Sequence, residues 1–299
     1  SKDGTTTWYY TDAINWLNFF ISDKNKAILP LRSSGIGFLF YDNFVTWLDE
    51  MVQYFKLHHQ SIKNSFNVGC LWSSHIKEIN EGKIESDLLC ILRKQGFKDR
   101  HKLISVFDSS YFDYSITTYG DGINFIKGIY RLLEEMPDTF FLFKEKKVRD
   151  FVGRYSKEML AWFRKLEGHP RCYLPLRDMN TSEAIAFSDL TISFPFSSTT
   201  FEALSARKKA LYYDASDKFK GTFYDKVPGL VCHNYEELFN RTKELLFDIG
   251  DVEYNKYLDN FVKEKMGLCL DGEALTRFRQ LLTNSEYSMK EKVKAGAIS

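Results

Sequence analysis

Between Asp189 and Asp214 the sequence reads DLTISFPFSSTTFEALSARKKALYYD. An apolar run from Leu190 to Phe196 meets four hydroxyl residues, Ser197, Ser198, Thr199 and Thr200. A helical pattern over Phe201 to Arg207 follows, and then a second short apolar run ends at Asp214. Strand, polar turn, helix and strand in that order make one βαβ unit, and such a unit requires a parallel sheet. The turn lies at the carboxyl end of a strand and the amino end of a helix. In an open α/β sheet ligands bind there, and the helix-start N–H groups favour an anion such as phosphate. Capping is an equally good local reading, because Thr199 and Glu202 have the spacing of a capping box.

The same alternation spreads over the second half. Strands are expected at Lys102 to Phe107, Thr139 to Phe143, Cys172 to Leu174 and Val227 to Cys232. Helices are expected at Ile123 to Met136 (with Asp121 as N-cap), Val148 to Leu166, Asn180 to Phe187 and Tyr235 to Phe247. This pattern predicts an α/β fold with a doubly wound parallel sheet. From Val252 the chain reads helical, with breaks at Gly267 and at Asp271-Gly272, and a polar, frayed end from Ser285.

The first third is less regular. Aromatics at helical spacing predict an amphipathic helix over Thr7 to Ile21, and Phe44 to His59 also reads as helix. Phe66 to Trp72 reads as a buried strand ending in Ser73-Ser74-His75, and Glu85 to Lys94 as helix. A polar connector at Gln95 to Arg100 suggests a boundary. The expected division is 1–98, 99–250 and 251–299.

Net charge is +1, which argues against binding nucleic acid by phosphate neutralisation. The 5 cysteines are scattered with no CxxC, so neither a disulfide frame nor a zinc site is expected, and a cytoplasmic setting is. No apolar run has the length of a membrane span. The chain opens Ser1-Lys2-Asp3-Gly4 without a Met and reads as part of a longer protein.

Three strand ends carry polar groups: Asp108-Ser109-Ser110, Lys144 with Lys146 and Lys147, and Ser197 to Thr200. A doubly wound sheet brings such ends to one edge, where lysines, hydroxyls and helix-start amides together make an anion pocket. No GxGxxG or GxxxxGK[ST] is present, which disfavours a dinucleotide fold and a P-loop.

These residues also carry a resemblance. SDLTISFPFSSTTFEAL (Ser188 to Leu204) is similar to the phrase aD-x-x-I-x-x-x-SS-x-x-x-EA of GT-B glycosyltransferases that build bacterial capsule and surface polysaccharides, the group with Kdo- and sialyl-transferases. Its Pro195-Phe196-Ser197-Ser198 core resembles the group's PFTS variant. ISVFDSSYFD (Ile104 to Asp113), FFLFKEKK (Phe140 to Lys147) and LDGEALTRF (Leu270 to Phe278) fit the same group.

The resemblance implies a GT-B-like chain of two Rossmann-like halves. It implies a metal-independent glycosyltransferase using no cofactor beyond a nucleotide-sugar donor, CMP-Kdo or a CMP-sialic-acid-like sugar. A glycan or glycolipid would be the acceptor, at the inner face of the membrane, with peripheral association through flanking segments. Ser197, Ser198 and Thr199 would hold the nucleotide phosphate, with Ser109, Lys144 and Lys146 beside them and Glu202 near the ribose.

The group's HP motif has a counterpart in His169-Pro170, but later than the family position, so Lys144 and Lys146 are preferred. Gly120-Asp121-Gly122 resembles its base motif and is read as a helix cap. A base or nucleophile facing the cleft would come from Asp108, Asp113 or His75, with Asp42 as a further candidate. Two alternatives stand beside this reading: a UDP-sugar or CDP-glycerol donor on the same fold, and a non-catalytic glycan- or nucleotide-binding module of a larger polymerising protein.

Overall fold

The computed structural model describes residues 6–11, 41–58, 64–111, 117–146, 155–175, 179–195 and 197–294. The second half contains a parallel sheet of six strands: β4 (Lys102–Phe107), β5 (Thr139–Lys144), β6 (Cys172–Tyr173), β7 (Leu190–Ser193), β8 (Ala210–Tyr213) and β9 (Val231–Cys232). Their order in space is β6-β5-β4-β7-β8-β9, and every pairing is parallel. That is the 3-2-1-4-5-6 order of a dinucleotide-type doubly wound sheet, with its direction of winding reversed between β4 and β7.

Residue type explains why these strands are central. Phe140, Phe141, Leu142 and Phe143 on β5 are all fully buried, as are Ile104 and Val106 on β4. A strand covered on both faces reads as a continuous apolar run, without the alternation of a half-exposed strand. Truncating one of these phenylalanines to alanine would cost about 3–5 kcal/mol. Helices close the two faces. They include α4 (Tyr119–Glu135), α5 (Lys157–Glu167), α6 (Thr181–Phe187), α7 (Ser198–Ser205) and α8 (Tyr235–Lys243), after α1–α3 of the first half. A side chain at Gly128 would meet the ring of Tyr213 at 2.4 Å, so glycine sets how closely α4 approaches the sheet.

A smaller parallel sheet, ordered β1-β2-β3, lies in the first half: β1 (Trp8–Tyr10), β2 (Asn43–Thr46) and β3 (Asn64–Asn67). With it are α1 (Asp49–His58), α2 (Trp72–Asn80) and α3 (Leu88–Lys94). Two expected helices are corrected here. Trp8–Tyr10 is a strand paired with Asn43–Val45, and Phe44 lies within the strand Asn43–Thr46, so helix begins only at Asp49. Aromatic and β-branched residues packed on both faces of short strands imitate helical spacing in a short window. Residues 12–40, where the rest of the first expected helix falls, are outside the described residues. The strand expected to run to Trp72 stops at Asn67, and Trp72 opens α2.

The end of the chain returns to the first half. After α9 (Asp251–Tyr257), a π-helical turn at Leu258–Lys263 and α10 (Glu264–Met266), Gly267 adopts φ 64° and ends the helix. The Gly267 carbonyl accepts a hydrogen bond from the side-chain amide of Asn67 at 2.8 Å. Leu268 bridges to Leu48. The last helix, α11 (Ala274–Lys294), continues into the stretch expected to fray from Ser285, of which residues 295–299 are outside the described residues. Its Arg277 Nε donates to the Val68 carbonyl at 2.9 Å, and Ser74 Oγ donates to the Gly272 carbonyl at 2.7 Å. Helix α2 packs in turn against α6 and α7 of the second half.

Candidate active site

A cavity of about 420 Å³ opens where β4 and β7 part. Its lining includes Asp108 from the end of β4, Lys144 to Lys146 from the end of β5, Ser197, Ser198, Thr199 and Glu202 from α7 and the turn before it, Asn180 to Ser182 from the start of α6, and Trp72 from α2. The sheet thus brings together the three strand ends that the sequence places on one edge.

The hydroxyl turn is built from its neighbours. Thr199 Oγ1 lies 2.8 Å from Ser193 Oγ and 3.0 Å from Ser197 Oγ. Tyr212 on β8 donates its hydroxyl to the Ser197 carbonyl at 2.8 Å, and Thr200 donates to the Leu211 carbonyl at 3.2 Å. The expected Thr199–Glu202 capping box does not form. Ser197 is the N-cap, and its side chain makes no cap bond, so that side chain satisfies none of the first-turn N–H groups of α7. Among the described residues, the Ser198 hydroxyl and the Lys144 ammonium have no hydrogen-bond partner. A helix start, a hydroxyl and an ammonium in one cavity suit an anionic ligand.

Two carboxyls in the cavity wall are held away from water. Asp108 is 2 % exposed. Its Oδ1 accepts the Lys146 backbone N–H, while the buried Oδ2 has no partner. Burial pushes this carboxyl well above the usual carboxylate range, against the opposing pull of the Lys146 N–H and the nearby lysines. A protonated Asp108 is a hydrogen-bond donor and a poor base. Glu202 is pushed up to about 7 by burial, with Lys144 pulling the other way. It can exchange a proton near neutral pH, a property that sequence spacing did not reveal.

Other predicted site residues fall elsewhere. Ser109 is outside the lining, and its N–H donates to the Tyr111 hydroxyl at 3.4 Å. His75 is also outside the lining, one step back, with Nε2 3.3 Å from Asn180 Nδ2. Asp42 precedes β2 and accepts from the N–H and hydroxyl of Thr7, each at 3.0 Å, which ties β1 to β2. Asp113 and Lys147 lie outside the described residues. His169 sits before β6, at the amino edge of the sheet, paired with Glu134 at 2.9 Å. Asp121 is not the N-cap of α4. Thr118 is, and Asp121 completes its capping box while pairing with Lys218 at 2.9 Å.

Sequence reasoning missed Trp72 and the Asn180–Ser182 helix start. The Asn180 side chain caps α6 through the Ser182 N–H, so polar residues at that helix start were the available signal. Among the described residues, one group has ligand-like spacing for a metal: Asp214, Asp217 and His233, whose facing atoms lie within 4.8 Å of one another. It sits beyond β8 and β9, outside the cavity lining, and His233 Nε2 is 2.9 Å from Asp225.

The model of the polysaccharide biosynthesis PFTS motif proteins matches residues 1–241. The chain belongs to this family. No curated protein matches it. Among solved structures, the PFTS motif chain is similar to the wall teichoic acid polymerase TagF (TM-score 0.59, 14% identity, covering 95% of this chain and 68% of that one). It is also similar to S. aureus MnaA in its UDP co-structure (TM-score 0.59, 15% identity, 97% and 69%). A form of TagF soaked with CDPG gives TM-score 0.56 at 16% identity over 84% of this chain. The PFTS motif chain spans 58% of that structure. These likenesses establish the GT-B-like α/β fold with its two parallel sheets. Among the described residues, no helix is long and apolar enough to cross a membrane.

Proposed function

We propose that this PFTS motif chain binds a nucleotide-activated sugar at the β4–β7 cavity and transfers the sugar to a surface polysaccharide. The observation that carries this reading is the placement of an unengaged lysine, an unengaged hydroxyl and a helix start at the reversal point of the sheet. Lys144, Ser198 and the first N–H groups of α7 take the donor phosphate. They stabilise the charge that grows on the leaving nucleotide as the glycosidic bond breaks. Glu202 accepts the acceptor's hydroxyl proton, since a carboxyl titrating near 7 is matched to that task. Asp108 acts through position: its Oδ1 holds the Lys146 backbone N–H at the end of β5. The acceptor, a glycan or glycolipid, approaches from the side of residues 1–98.

CMP-Kdo or a CMP-linked sialic-acid-like sugar fits this scheme through a single phosphate. A diphosphate donor fits it as well, and solved relatives captured with UDP and with CDPG favour that second reading. Thermal shift with CMP, CDP, UDP, GDP and ADP, with and without EDTA, tests both. Selective stabilisation by CMP supports a CMP-sugar, and stabilisation by UDP or CDP supports a diphosphate donor. Loss of the shift in EDTA would bring a metal into the site. No shift with any nucleotide would overturn the donor reading.

A further inference from the structure

We propose that Trp72 is the stacking platform of a sugar-ring subsite at the mouth of the β4–β7 cavity, so that the group held beyond the phosphate is a cyclic sugar and not an acyclic polyol. This rests on the donor-site reading and narrows it to a substrate class.

The described tryptophans differ sharply in what surrounds them. Trp47 is fully buried, and its indole N–H donates to the Thr11 carbonyl at 2.7 Å. Trp8 stacks on Phe66 with ring centroids 5.9 Å apart. Trp162 is covered by Lys165 at 3.9 Å and flanked by Tyr130 at 5.7 Å. Trp72 is 45% exposed, and among the described residues its indole has no ring, cation or hydrogen-bond partner. An uncovered indole on a cavity wall is a large apolar area that gains from being covered.

Its position is set by the fold. Trp72 is the first residue of α2, while Ser73, Ile76 and Ile79 bury the other face of that helix. Ser73 Oγ donates to the Cys70 carbonyl at 2.6 Å and anchors the turn. Phe107 is the other aromatic residue of the wall, and Asp108, Asn180, Ser182 and Glu202 line it with polar groups. A flat apolar face together with carboxyl, amide and hydroxyl groups matches a sugar ring, which offers C–H groups on one face and hydroxyls around its edge. Glycerol has no such face. The Asn180 amide, the Ser182 hydroxyl and the Glu202 carboxyl can bond hydroxyl groups, which a sugar presents in greater number than a nucleobase.

The test is calorimetric titration of the unaltered chain, Trp72→Ala and Trp72→Phe. The probes are UDP, UDP-N-acetylglucosamine, CMP, CMP-N-acetylneuraminic acid and CDP-glycerol. We expect Trp72→Ala to weaken the better sugar nucleotide by up to about tenfold. Its bare nucleotide and CDP-glycerol should stay within about twofold, the scatter of surface substitutions. Trp72→Phe should keep most of the affinity, and melting temperatures check that both variants fold. Equal weakening of the bare nucleotide would make Trp72 a base platform and overturn the proposal. So would unchanged affinity for every probe.

If the unaltered chain binds no nucleotide, the donor reading falls by itself. Saturation-transfer NMR with free N-acetylglucosamine and N-acetylneuraminic acid then decides the subsite. A signal lost in Trp72→Ala keeps it, and no signal on the unaltered chain ends it.

Discussion

The two edges of the six-stranded sheet both carry cavities lined by lysines, and the two sets of lysines differ in how far they are already engaged. The amino-edge cavity is the larger, about 500 Å³, and Lys102, Arg207, Lys208 and Lys209 line it. All four are engaged. Lys102 pairs with Asp189 at 3.2 Å, and Lys208 donates to the Ala186 carbonyl at 2.7 Å. Lys209 donates to the Leu245 and Ile249 carbonyls at 2.6 Å each, and Arg207 donates to the Leu270 carbonyl at 2.9 Å and pairs with Asp259. Arg207, Lys208 and Lys209 thereby close off carbonyls of helix and turn ends, a structural task. At the carboxyl edge the smaller cavity keeps the Lys144 ammonium and the Ser198 hydroxyl without hydrogen-bond partners among the described residues, and buries two carboxyls. Cavity volume and lysine count favour the amino edge, whereas unengaged hydrogen-bonding groups favour the carboxyl edge, where the donor site is proposed.

The largest expected effect that would break this contrast concerns Glu202. Its raised pKa means that the folded chain holds the proton more tightly than the unfolded chain. Stability is therefore fully present below the unfolded glutamate value and is lost as pH rises through about 7. Glu202→Gln removes that loss. Urea unfolding should show the variant more stable than the unaltered chain by about 2–3 kcal/mol at pH 8, and equal to it near pH 4. A variant less stable at pH 8 would mean that the carboxylate is paired, and the contrast with the amino edge would weaken. The same variant should lose transfer activity if Glu202 is the base.

Next in size is the exchange between the two lysine sets. Lys144→Ala should weaken the stabilising nucleotide by about tenfold or more, because a charge-assisted bond to phosphate is lost, and leave the melting temperature of the free chain nearly unchanged. Lys208→Ala should do the reverse, lowering stability by about 1–3 kcal/mol and leaving nucleotide affinity as it was. Calorimetry and unfolding on both variants check the pair, and any crossover would erase the distinction between the edges.

The smallest effect sharpens the picture. Ser198→Ala should cost about 1 kcal/mol of nucleotide affinity, one neutral hydrogen bond. Thr199→Ala should cost stability instead, since that hydroxyl already bridges Ser193 and Ser197. Full nucleotide affinity in Ser198→Ala would remove its side chain from the cradle.

Legibility in the sequence follows the same division. The strands of the second half were readable because parallel strands covered on both faces are continuous apolar runs bounded by polar turns, as in Thr139–Lys144 and Leu190–Ser193. The first half was not, because β1 has three residues and β2 and β3 four each, too short to separate a period of 2 from 3.6. Within the site, Asp108, Lys144, Lys146 and Ser197 to Thr199 were legible because each follows a strand. Trp72 and Asn180 were not, since both reach the cavity on helix starts that only packing brings there.

By itself, the sequence determined the α/β class, the parallel sheet and the edge on which polar strand ends gather, because hydrophobic period and turn chemistry are local properties. Tertiary structure decided which of those polar groups stay unengaged. Among the described residues it left the Lys144 ammonium without a hydrogen-bond partner while Lys208 found a carbonyl, buried Asp108 and Glu202 so that both carboxyls titrate above their usual range, and brought an exposed tryptophan from the first half to the cavity wall. Those outcomes depend on neighbours far apart in the chain, and no local pattern of residues encodes them.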